Sequence, residues 1–272
     1  MSKQRFFSSA LLIAITLFGI VNKWAFLFVL LALIMGGLYE FFYLTKKKGI
    51  PIYSYTGIII GLFIPISIFM QFELTKRLEL LFVVILLLMI FMMQFMRKNN
   101  ANAIVGISTT FFGVLYVSWL FSFLIKIRFL LPGWDGIGLL GFILLVTKMG
   151  DIGALLVGSS FGKHPLLPRI SPNKTIEGSF GSFIFSTIAA ILARSFIPAQ
   201  FDFSLTQIAI IGVVIGGLGQ LGDLSESLIK RDFNVKDSGN WLPGMGGVLD
   251  VIDSILFTAP AFYFYMSSFL KV

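Results

Sequence analysis

An all-α, polytopic transmembrane helix bundle of about nine spans, with its N-terminus on the cytoplasmic side, is the fold this sequence predicts, on three observations. Hydrophobic residues fill 57% of the 272 positions and charged residues 12%, more apolar surface than one water-soluble core can hide. The apolar runs are long and unbroken, without the alternation of a barrel strand, and a helix satisfies its own backbone inside a bilayer. The Lys and Arg residues cluster between those runs, unequally on the two sides.

With ~20 residues as the length of one crossing, spans are expected over residues 8–22, 24–44, 53–72, 78–96, 103–124, 136–160, 178–198, 205–223 and 248–270. The first is short and follows Lys3 and Arg5 as a signal peptide would. No small-x-small cleavage motif comes after it, so an anchor or re-entrant half-span is expected. With the N-terminus inside, the inner loops carry Lys3, Arg5, Lys46, Lys47, Lys48, Arg97, Lys98, Lys163, Arg169, Lys174, Lys230, Arg231 and Lys236. The outer loops carry only Lys23, Lys76, Arg77, Lys126, Arg128, Arg194 and Lys271. The two long polar loops, 162–177 and 225–247, then share the inner side, which divides the chain into an N-terminal scaffold, 1–135, and a C-terminal catalytic half, 136–272. Gly57 with Gly61 and Gly212 with Gly216 have the spacing for close helix approach.

Composition also excludes several chemistries. The chain has no cysteine, so disulfides, thiolate catalysis and cysteine-ligated zinc are ruled out, and the single histidine, His164, rules out a multi-histidine metal centre. A net charge of +8 would suit nucleic acid only as a basic stripe on a soluble surface, so no nucleic-acid partner is expected.

Ionisable groups in or beside a span need a partner or a purpose; here they are Glu40, Lys148, Asp151, Asp223, Asp250 and Asp253. Lys148 and Asp151, three residues apart on one helix face, can neutralise each other or contact substrate. Asp223 is expected to end one helix, while Asp250 and Asp253 open the next at i, i+3 spacing. Three neighbouring carboxylates suit magnesium or another hard cation; the alternative is protonation, or pairing with Lys230 or Arg231. Between them, the stretch 227–240 mixes basic, acidic and glycine residues, as a nucleotide site would, although a basic cluster also marks topology or anionic lipid. The glycines of 243–247 lead into the last helix, where backbone amides and the helix N-terminus favour a phosphate. Ser171, Pro172, Asn173, Lys174 and Thr175 read either as an ordinary helix start or as a phosphate contact through Lys174; His164 reads as an exposed loop residue. Residues 217–222 fit a dinucleotide fingerprint, but that motif needs a strand before it, so helix packing is expected instead.

These residues resemble the phosphatidate cytidylyltransferases, or CDP-diacylglycerol synthases. Ser227, Lys230, Arg231, Lys236, Asp237, Gly239, Pro243, Gly244, Gly246, Gly247, Asp250 and Asp253 match the family signature in order and spacing. Asp151 to Ala154, Phe161-Gly162 and Ile170 to Gly178 are similar to its other shared segments. The resemblance covers residues 147–254. Met245 and Val251 stand where the family has His and Arg, and Leu155 stands where an aromatic is usual.

What the resemblance implies is cytidylyl transfer from CTP to phosphatidic acid, giving CDP-diacylglycerol and pyrophosphate. Catalysis would rest on Asp223, Lys230, Arg231, Lys236, Asp237, Asp250 and Asp253, with magnesium on Asp223, Asp250 and Asp253 and a second cation left open. Substrate contacts would come from Lys148, Asp151, Ser171, Asn173, Lys174, Thr175, Ser227, Gly239, Gly246 and Gly247. The expected setting is a bacterial inner (plasma) membrane, with the bilayer itself a partner, the site facing the cytoplasm, and homodimerisation open. A CTP-dependent lipid kinase is the nearer alternative, and an ion-coupled transporter the more distant one, since no internal repeat is found.

Overall fold

The computed structural model describes residues 14, 16–70, 75–98, 100–239, 241 and 246–270. The chain divides into two compact units, Met1–Lys126 with Asp237–Val251, and Ile127–Lys236 with Ile252–Val272. Within this division the described residues 237–239 and 246–251 of the glycine-bearing signature group with the N-terminal helices.

In the first unit, α1 (Lys23–Lys47), α2 (Ser54–Phe69), α3 (Thr75–Phe95) and α4 (Ala103–Gly113) follow one another, and a π-helical turn at Val114–Trp119 joins α4 to α5 (Leu120–Arg128), whose last two residues fall in the second unit. The Asn22 carboxamide oxygen accepts from the Trp24 and Ala25 amides at 3.0 and 3.1 Å, satisfying two of the free N–H groups at the start of α1. Leu30, Ile34, Leu38 and Phe41 recur at helical spacing on α1 and are almost fully buried, as are Ile60 and Ile64 of α2 and Val117 of the π turn. In lipid such a seam depends on fit, because acyl chains solvate apolar side chains as well as the protein does. Gly57 and Gly61 supply that fit: a Cβ at either would lie 2.6 Å from the Phe42 ring or Leu38 Cδ1.

The second unit contains α6 (Trp134–Phe161), a two-stranded antiparallel ribbon of β1 (Pro165–Leu167) and β2 (Ser171–Thr175), α7 (Ile176–Leu192) and α8 (Leu205–Asp232). It also holds most of α9 (Leu249–Ser267). α7 packs against both α6 and α8. Gly212 of α8 passes so close to α7 that a Cβ there would sit 2.6 Å from Thr187 Cα, in line with the packing expected of it.

Among the described residues, five helical segments are long and apolar enough to cross a membrane: Lys23–Lys47, Ala103–Arg128, Trp134–Phe161, Leu205–Asp232 and Leu249–Ser267. Shorter apolar helices occupy Ser54–Phe69, Leu80–Phe95 and Ile176–Leu192. The fold is therefore that of an α-helical membrane protein. Of the segment expected over 8–22, residues 8–13 and 15 lie outside the described residues; 14 and 16–21 are helical.

Two local expectations are overturned. Ser171-Pro172 does not begin a helix. Residues 171–175 form β2, and the cap is Thr175, whose Oγ1 accepts from the Gly178 amide at 3.1 Å. Pro168 and the turn bond from Ile170 N to Leu167 O fold the chain back on itself, so pairing with β1 claims the segment. Residues 225–232, expected as loop, continue α8. Leu224, Leu228 and Ile229 keep helical spacing, and Glu226 pairs with Lys230 at i, i+4. Asp223 is thus well inside α8 and does not end it, so the partial negative charge of the helix C-terminus falls beyond it.

Candidate active site

The second unit gathers a polar cluster between helices. The Lys148 ammonium, on α6, donates to Asp151 Oδ2 at 2.9 Å and to Ser254 Oγ at 3.0 Å, and the Ser254 hydroxyl donates to the same Asp151 oxygen at 2.9 Å. Of the two readings left open for Lys148 and Asp151, mutual neutralisation is therefore present in the resting protein. Asp253, only 6% exposed, accepts the Ser254 amide through Oδ1 at 2.6 Å. Its carboxyl adjoins that of Asp223 within hydrogen-bonding reach. Gly222 makes this possible, because a Cβ there would collide with the Asp253 carbonyl and push α8 away from α9. Lys174, carried in by β2, reaches Asp223 Oδ2 at 2.8 Å. Three carboxylates and two ammonium groups thus meet in one partly buried patch, where each ion pair is stronger than it would be in water.

The neighbouring basic residues have other attachments. Glu226 is 1% exposed and forms an ion pair with Lys230, while Arg231 Nε donates to the Ile170 carbonyl at 3.0 Å, securing the ribbon's turn. Ser227 is half-buried on α8; Lys236 is exposed beyond the helix end, and Ser171 and Asn173 lie on β2. His164 is exposed, as expected, and binds Glu177. Its ring at 2.6 Å, followed by main-chain amides including that of Lys163, holds the Glu177 carboxyl down at about 2.

The first unit holds the glycine-bearing segment. Asp237 is exposed. Asp250 Oδ2 accepts from Ser238 N at 3.0 Å, Ser238 Oγ at 2.9 Å and Gly247 N at 2.8 Å. Gly246 has φ of +93°, and a Cβ on it would approach that same oxygen to 2.8 Å, so only glycine suits the bend. Glu40 of α1 accepts the Val248 and Leu249 amides at 2.9 and 3.0 Å. The amides expected to meet a phosphate at the start of α9 are therefore bound to carboxylates of the chain itself. Pro243, Gly244 and Met245 lie outside the described residues.

Sequence reasoning does not reach the roles of Glu40, Ser238, Ser254 and Glu226. Glu40 alone carries a usable signal, as the one acidic residue of the apolar run 24–44.

Among the described residues no group of three His, Asp or Glu side chains is arranged as a ready metal cage. The adjoining Asp223 and Asp253 nonetheless suit magnesium, which commonly takes one or two carboxylates and completes its shell with water and substrate phosphate.

The family model described as the cytidylyltransferase family matches residues 3–269. A phosphatidate cytidylyltransferase of Bacillus subtilis is 34% identical over 272 residues, covering 98% of each chain. One from Synechocystis sp. is 32% identical over 297 residues, covering 100% of this chain and 99% of its own. One from Staphylococcus saprophyticus is 45% identical over 126 residues, 46% of this chain and 48% of its own. By a match that runs almost end to end, the chain belongs to the cytidylyltransferase family.

Proposed function

We propose that the protein transfers the cytidylyl group of CTP to phosphatidic acid, giving CDP-diacylglycerol and pyrophosphate. The observation that carries this reading is the cluster of Lys148, Asp151, Asp223, Asp253 and Lys174, in a chain whose full-length relatives are named phosphatidate cytidylyltransferases.

The nucleophile is a phosphate oxygen of phosphatidic acid. It attacks the α-phosphorus of CTP, the bond to the bridging oxygen of the β-phosphate breaks, and pyrophosphate leaves. That nucleophile is already anionic, so the site needs no strong general base, and what it must overcome is repulsion between two polyanions. Lys174 and Lys148 stand where phosphate oxygens can displace their present carboxylate partners, exchanging one ion pair for another. Fixing both phosphates by cations on separate elements, β2 and α6, orients the in-line approach. Arg231 and Lys236 add positive charge along the nucleotide's approach, while Lys230 is held by Glu226. Magnesium bound to Asp223 and Asp253 would supply charge screening at the α-phosphoryl group and leaving pyrophosphate. Asp250 enters the metal set only through its i, i+3 spacing from Asp253, and one of its oxygens is already committed to Ser238 and Gly247.

Purified protein incubated with radiolabelled CTP, phosphatidic acid and magnesium is expected to release labelled CDP-diacylglycerol and unlabelled pyrophosphate when the label is in the cytidine. Accumulation of CDP without a CDP-lipid would instead establish phosphoryl transfer and the kinase alternative.

The nine-span topology, with N-terminus and polar loops on the cytoplasmic side of a bacterial inner membrane, is part of the same proposal and rests on the inner excess of Lys and Arg. The chain has no cysteine, so Lys163→Cys and Asp232→Cys each introduce one thiol at an exposed position. In intact cells both are expected to resist a membrane-impermeant maleimide and to react after permeabilisation. Equal labelling before permeabilisation reverses the topology.

A further inference from the structure

We infer that Glu40, in the half of the chain that reads as scaffold, is a positioning residue for the nucleotide-binding segment; the inference rests on the cytidylyl-transfer reading. Glu40 is 2% exposed at a depth where an unpartnered carboxylate would be costly. Its Oε1 accepts the Val248 amide at 2.9 Å, and its Oε2 accepts the Leu249 amide at 3.0 Å and lies 2.9 Å from the Ser238 hydroxyl, whose single proton it shares with Asp250 Oδ2. All these groups belong to the first unit. Val248 and Leu249 carry amides at the opening of α9 that the helix leaves without an internal partner, and a carboxylate also complements the dipole there. Gly239 rests against Oε1 with no room for a Cβ. One side chain of α1 therefore grips both ends of the segment 238–249, which bears Gly239, Gly246 and Gly247 of the signature and leads into Asp250 and Asp253.

The bonding pattern separates this role from space filling. Each carboxylate oxygen faces a backbone N–H, so Glu40→Gln, although isosteric, must set its NH2 against one of those donors whichever way the amide is turned. Glu40→Asp is one methylene short but keeps two acceptors. If Glu40 only filled a cavity, Gln would be the milder change. If it positions the segment, Asp is the milder one.

The test uses full-length protein in detergent, with thermal unfolding to confirm a folded state, amide hydrogen exchange at Val248 and Leu249, and kcat and KM for each substrate. Glu40→Gln is expected to speed exchange at those amides and raise the KM for CTP by about ten-fold or more, the loss appropriate to one broken charge-assisted hydrogen bond. The KM for phosphatidic acid should hold, and Glu40→Asp should fall between parent and Gln. Gly239→Ala, which presses on the same oxygen, should raise the KM for CTP likewise and serves if Glu40→Gln fails to fold. Parental exchange and KM in Glu40→Gln, or Gln outperforming Asp, overturns the proposal. If the parent itself makes no CDP-lipid, the functional reading fails, while the exchange data still decide the role of Glu40.

Discussion

Replacing Asp253 by Asn is expected to lower kcat/KM for cytidylyl transfer by about 10³ or more, roughly 4 kcal/mol of lost transition-state stabilisation. Asp223→Asn should behave alike. The side chains are nearly isosteric, and the carboxamide oxygen of the Asp253→Asn variant can still accept the Ser254 amide, so the packing of α8 on α9 at Gly222 should survive. What disappears is charge. Asp253 and Asp223 adjoin each other, and Lys174 is bound to the second of them. The loss falls on the magnesium-binding pair, so the magnesium concentration for half-maximal rate should rise along with the drop in rate. Asp223→Asn should also release Lys174 from its ion pair. Initial rates across a magnesium titration, with thermal unfolding as the folding control, decide the matter. Rates within about three-fold of the parent with unchanged magnesium dependence would remove these carboxylates from catalysis.

Much of this architecture is legible in the sequence, because hydropathy in a bilayer is a strong and local constraint. The spans expected over 24–44, 103–124 and 136–160 correspond to Lys23–Lys47, Ala103–Arg128 and Trp134–Phe161. Polarity is the less dependable guide. The stretch 225–232 reads as loop because it is charged, yet helix continues wherever spacing and i, i+4 pairing permit it, as Glu226 and Lys230 do. The Ser-Pro pair at 171 and 172 carries a helix-start signature, but so does Thr175 with Glu177 two residues on, and strand pairing across the turn at 168–170 favours the second. The glycines of 243–247 read as openings for phosphate, and Gly239 joins them through the family resemblance. In the structure the groups closest to Gly239 and Gly246 are Glu40 and Asp250 of the chain itself. No pattern within the segment can reveal that, since Glu40 lies 198 residues before Ser238 in sequence.

Asp250 is the residue at which the two roles, loop clamp and metal ligand, can be separated, and a pair of substitutions is expected to do it. Its Oδ2 holds Ser238 N, Ser238 Oγ and Gly247 N at 3.0, 2.9 and 2.8 Å. Asn at this position retains a carboxamide oxygen able to accept all three donors while its NH2 faces away, so the clamp persists and only the negative charge is lost. Ala removes both, leaving the Ser238 and Gly247 amides without their acceptor at a cost of about 1–3 kcal/mol each where water cannot reach them. If Asp250 joins Asp253 in screening phosphate charge, Asp250→Asn should lower kcat by about 10², with the KM for CTP little changed. Asp250→Ala should match that loss and, in addition, raise the KM for CTP as the bend at Gly246 slackens. Steady-state kinetics on the two variants give the answer directly. Should Asp250→Asn stay within about three-fold of the parent while Ala collapses, Asp250 leaves the metal set and remains the clamp that shapes the segment beside Glu40.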